Sequence, residues 1–139
     1  MSMFVGTVDA KGVPACCRAV AVVSNDDLAT ITVFVPMATS RDVIANVAST
    51  KRIAVTATYP PTNCSTQVKG ITTGVRLATD GEEALIRDRV DGFADVLQEI
   101  GIPRRITRSI NHWPAFAIEM KVDEMFDQTP GPKAGNVLR

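Results

Sequence analysis

Arg18 has the surroundings that most need a chemical explanation. It lies in the run Ala15-Cys16-Cys17-Arg18-Ala19-Val20-Ala21-Val22-Val23, which is apolar on both faces at a two-residue period. On a strand it shares its face with Cys16, Val20 and Val22. Burying a guanidinium without a partner costs several kcal/mol. The run offers no carboxylate, so the counter-charge comes from a distant Asp or Glu, from water past a barrel rim, or from a bound anion. A second cluster, Thr39-Ser40-Arg41, falls where helical spacing begins. Free amide hydrogens, two hydroxyls and a guanidinium at a helix N-terminus can hold a phosphate; the same residues also make an ordinary N-cap beside an exposed arginine. A third is Thr66-Gln67-Val68-Lys69. Gln67 and Lys69 project from one face of a strand, where an amide beside a cation suits the polar edge of a heterocycle or simply faces water.

Other chemistry is excluded by what the chain lacks. A single histidine, His112, rules out His-rich metal sites, and no Gly-x-Ser-x-Gly, P-loop or Gly-x-Gly-x-x-Gly stretch occurs. Fifteen Lys and Arg balance fifteen Asp and Glu, and aromatics are 5%, so neither a basic footprint nor a base-stacking surface for nucleic acid is expected. The longest unbroken apolar run, Ala19 to Val23, cannot span a bilayer, and the first residues show no signal-peptide pattern. Three cysteines, two of them adjacent, read as small buried hydrophobes in a reducing cytoplasm. Cys16 and Cys17 face opposite sides of their strand, so no vicinal disulfide is expected.

The elements that must position these residues are mostly strands. Met3 to Asp9, Pro14 to Ser24 and Leu28 to Pro36 are joined by short turns, which favours antiparallel hairpins. Thr39 to Ser49 switches to helical spacing, with Thr39 or Ser40 as its cap. Arg52 to Thr58 is a fourth strand. Ser65 to Leu77 is a fifth, where Gly70 and Gly74 predict a bulge or a close backbone approach. A second helix starts on a capping-box-like Asp80 and Glu83, presents Ile86, Val90, Phe93, Leu97 and Ile100, and ends at Gly101 and Pro103. In the last strand, Pro114 to Phe126, Phe116, Ile118, Met120 and Val122 point inward. The whole reads as a mainly β protein, a six-stranded antiparallel barrel with two inserted helices. It forms one domain over residues 1–126, followed by a Pro/Gly-rich tail, 127–139, without regular structure.

In order and spacing these pieces resemble the pyridoxamine 5′-phosphate oxidase-like family, the FMN-binding split β-barrels. Phe4 to Asp9 with Gly12 and Pro14 resembles the family's first hairpin, and Arg18 to Val23 its Arg-led strand. Ser40-Arg41, followed by Asn46, resembles its phosphate motif, and Gln67-Val68-Lys69 is similar to its Gln-Val-Arg segment. The resemblance implies a homodimer with FMN at the subunit interface and a small-molecule substrate. It implies that Arg18, Ser40 and Arg41 hold the phosphate and that Gln67 and Lys69 meet the ring edge. Backbone near Ala19 and Val20 would line the ring, and the flavin would supply the oxidoreductase chemistry. Asp42 stands where the motif usually continues with lysine, Pro36 cannot donate where a Thr contact is usual, and the tail lacks the Arg-x-His-type ending. Authentic pyridoxamine phosphate oxidase activity is therefore not expected. Binding of FMN, a deazaflavin or another ligand without turnover is the nearest alternative. A ligand-free dimeric interaction domain, with Arg18 salt-bridged and Arg41 exposed, is the second.

Overall fold

A computed structural model describes all 139 residues. Alternating strands are β1 (Ser2–Val8), β2 (Pro14–Ala19), β3 (Ala21–Ser24) and β4 (Thr30–Pro36). A 3-10 turn, Met37–Thr39, leads into α1 (Arg41–Thr50). Then come β5 (Arg52–Tyr59), β6 (Cys64–Leu77), α2 (Asp80–Glu99), α3 (Arg104–Arg108) and β7 (Ala115–Asp127). All seven strands join one antiparallel sheet in the order β2-β1-β5-β6-β7-β4-β3.

That order forces closure. The two outermost strands, β2 and β3, are separated in the chain only by Val20. The sheet therefore curls until its ends meet, giving a split barrel. Val20 donates its N–H to Phe34 O (2.9 Å), so the chain changes partner there, from β1 to β4. This handover divides the expected strand Pro14 to Ser24 and makes the strand count seven rather than six. It also breaks the alternation. Val20 and Ala21 both pack toward α2, whereas Val22 packs against the barrel interior. Arg18 and Val22 thus do not share a face, contrary to the two-residue period.

Two cores result. Inside the barrel, Val5, Val33, Val55, Ile118 and Met120 meet Val43 and Val47 of α1, which plugs one end. Asn46 Nδ2 donates to Thr7 Oγ1 (3.1 Å) and Thr50 Oγ1 to Val8 O (2.8 Å), fixing α1 to β1. Outside, Ile86 and Val90 of α2 pack on Val20, Ala21, Phe34, Ala115 and Ala117. Ile118, Met120 and Val122 face inward, as their alternation predicts. The capping box of α2 is Thr79 with Glu82, one residue earlier than expected, with Glu82 N–H on Thr79 Oγ1 and Thr79 N–H on Glu82 Oε2. The short α3 was not expected. Ladder irregularities fall at Lys69/Gly70 and Thr72/Gly74, where the glycines predict them. A Cβ on Gly70 would collide with the carbonyl of Lys121.

The tail is not free. Leu138 N–H donates to Met125 O (2.8 Å), Met125 N–H to Arg139 O (2.9 Å) and Asp127 N–H to Asn136 O (2.9 Å). The last residues thus return along the end of β7, on the edge β4 leaves open, because backbone groups there need partners.

Candidate ligand-binding face

Directly opposed residues in an antiparallel ladder project to the same side. Across β2, β1, β5, β6 and β7 the registers therefore align one row on the outer face: Arg18, Phe4, Thr56, Gln67 and Phe126. The next row is Cys16, Gly6, Ala54, Lys69 and Glu124. Three of the proposed site residues, Arg18, Gln67 and Lys69, are thus brought onto one surface. At strand spacing, Arg18 and Gln67 are roughly 14 Å apart across the sheet.

Arg18 is half-buried and takes part in no ion pair; those involve Arg76, Arg87, Arg104 and Arg108. Its guanidinium lies 4.7 Å from the Phe4 ring centre and 6.0 Å from that of Phe93 on α2, and donates one long hydrogen bond to Ser2 Oγ (3.4 Å). Aromatic faces attract a cation but leave most of its five N–H donors free. Gln67 donates from Nε2 to Thr56 Oγ1 (3.0 Å), which holds its amide and leaves Oε1 free to accept. The Lys69 ammonium sits 4.7 Å from the Phe126 ring centre. Gly6, Ala54 and Cys16 of the second row present little side chain, and a groove of about 740 Å³ opens over them, lined also by Lys69, Asp123 and Glu124 but by neither Arg18 nor Gln67. A Cβ on Gly6 would meet nothing within 4 Å, so the space before it is open.

The other residues lie elsewhere. Ala19 and Val20 are fully buried, in the barrel interior and against α2 respectively, and Val20 N–H is already spent on Phe34. Ser40 occupies the N-cap of α1, yet its hydroxyl makes no capping bond. That hydroxyl is completely buried without a partner. Arg41 is exposed, beside exposed Asp42. No hydrogen bond links Ser40 or Arg41 to Arg18, Gln67 or Lys69. Among the cysteines only Cys17 is buried, correcting the expectation for Cys16 and Cys64, which are exposed. Burial, with Cys16 adding to it, pushes the Cys17 thiol up to about 11.

Phe4, Gly6, Ala54, Thr56 and Phe126 are the parts of this face that the spacing of residues did not reveal. They are spread over three strands, β1, β5 and β7, and only the register puts them together.

No family model and no curated protein matches this sequence. Solved structures do match it in fold. An F420 reductase superposes with TM-score 0.60 at 13% identity, over 90% of this chain and 88% of that one. HupZ of Group A Streptococcus gives 0.55 at 19%, over 96% and 90%. An FMN-binding protein from Syntrophomonas wolfei gives 0.54 at 14%, over 90% and 75%. The chain therefore has the split β-barrel fold of the pyridoxamine 5′-phosphate oxidase-like proteins. At these identities the likeness is one of fold.

Proposed function

We propose that the outer face of β2, β1, β5 and β6 binds FMN, that a second copy of the chain completes the site, and that the protein is a flavin-dependent oxidoreductase acting on a small molecule. The observation that carries this reading is the paired rows: Arg18, free of any ion pair, and a Gln67–Lys69 edge share one face with a floor of Gly6, Ala54 and Cys16, over which a groove opens on the Lys69 side. The donor set fits the cofactor. Arg18 has free donors for a phosphate, and Gln67 and Lys69 offer an acceptor and a cation to a polar ring edge. Ser40 does not reach the surface, so the phosphate falls to Arg18, with Arg41 the only other guanidinium of the motif that is exposed. Ala19 and Val20 then support the strand from behind and make no contact with the ring. Exposed Phe4 and Ile71 on the same face, 43% and 42% accessible, favour coverage by a partner copy. Bound flavin supplies hydride and electron transfer. The chain's residues bind it, orient it and exclude water.

Fold neighbours named as an FMN-binding protein and as an F420 reductase support a flavin or deazaflavin ligand. The test is titration of the purified protein with FMN and, separately, F420. Anaerobic addition of NAD(P)H follows, with absorbance read before and after air. Bleaching and recovery are expected. Uptake without bleaching by any reductant points to binding without turnover. No uptake of either leaves the interaction-domain reading.

A further inference from the structure

The Lys69–Phe126 pair extends the ring-edge corner of this face onto a strand that the flavin site does not otherwise use. Phe126 stands directly opposite Gln67, and its ring lies under the Lys69 ammonium at 4.7 Å. Lys69 is exposed and belongs to none of the chain's ion pairs; a lysine with four rotatable bonds and no anchor spreads its charge over a wide volume. The backbone that carries the ring is held on both edges. Phe126 is paired on one edge with Gln67 of β6 and on the other, through an isolated bridge, with Val137 of the returning tail.

We propose that Phe126 is a positioning residue: its ring fixes the Lys69 ammonium beside Gln67, so that the charge meets the polar edge of bound FMN from one place. This rests on the flavin reading above. A cation held next to a flavin favours its reduced, anionic form, so losing the ring both weakens binding and lowers the reduction potential.

The experiment is a double-mutant cycle. FMN dissociation constants and the potential of bound flavin are measured for the wild type, F126L, F126Y, K69M and F126L/K69M, with thermal melts of each. F126L is expected to weaken FMN binding roughly two- to fivefold and to lower the potential, while F126Y, which keeps the ring, resembles the wild type. In the K69M background F126L is expected to change neither quantity, because the residue acts through the lysine. Equal effects of F126L in both backgrounds, or no effect in either, overturn the inference and leave the flavin reading standing. If F126L does not fold, F126Y carries the test: loss of affinity with the ring present overturns it. A wild type that takes up no FMN overturns both.

Discussion

At the residue scale, the question is how Arg18 is tolerated. Two aromatic faces and one hydroxyl offset part of its desolvation, and it forms no ion pair of the kind the interaction-domain alternative required. A charge stabilised this way is cheap to keep and has donors to spare. Replacing Arg18 with Ala should therefore lower FMN affinity by roughly tenfold or more, the scale of a hydrogen bond to a charged group. The same change should alter stability by within about 1 kcal/mol, since it removes two cation–π contacts and one long hydrogen bond at a half-exposed position. Calorimetric titration beside a urea melt separates the two. Unchanged affinity would place the phosphate elsewhere.

At the scale of elements, the start of α2 concentrates the strongest local electrostatics. The Glu82 carboxylate accepts from Arg76 Nη1 and Nη2 (both 2.7 Å) and from Thr79 N–H (2.8 Å), while Arg76 Nε reaches Glu119 of β7 (3.2 Å). One carboxylate thus caps the helix and ties it to β6 and, through Arg76, to β7. The Arg76 hydrogen bonds hold the Glu82 carboxyl down at about 2, well below its ordinary value near 4.5. Because the folded state lowers this value, the contribution to stability is complete above about pH 4.5 and is lost as pH falls toward about 2. E82Q should melt at lower urea than the wild type at pH 6, and the gap should narrow through pH 3 and close only as pH falls toward about 2. A gap that persists unchanged would mean the carboxylate is not what the helix start depends on. This junction was only half legible. Acidic residues before an apolar stripe announce a helix, but Thr79/Glu82 and Asp80/Glu83 have the same spacing, and only backbone geometry chooses between them. Likewise, nothing in the run from Ala15 to Val23, apolar but for Arg18, marks Val20 as the residue between β2 and β3, because that break is imposed by barrel closure and a change of partner strand. Gly70 and Gly74 were legible because a missing side chain has few explanations inside a strand, and the backbone of β7 supplies one of them.

At the scale of the molecule, closure through Val20 leaves one sheet surface without a helix over most of it, and there the two rows run. Arg18, Gln67 and Lys69 could be singled out from sequence because their types are out of place or paired at a strand's period. The floor beside them could not, since Gly6 and Ala54 are unremarkable until the registers set them side by side. That floor is where the functional proposal can be tested without touching a charge. A valine at position 6 suits a strand, and its Cβ meets no atom within 4 Å, so the fold should accept Gly6→Val within about 1 kcal/mol. Its methyl groups would instead stand in the groove over Ala54 and Cys16, where a flat ring needs contact distance, and overpacking of that kind costs about 1–3 kcal/mol. FMN affinity should fall roughly tenfold or more while the urea midpoint stays in place. Sedimentation of the variant without FMN reports whether the second copy still docks. A dimer that persists while FMN is lost puts the ring on the Gly6 floor. Full FMN affinity in a folded Gly6→Val protein would move the flavin off this face.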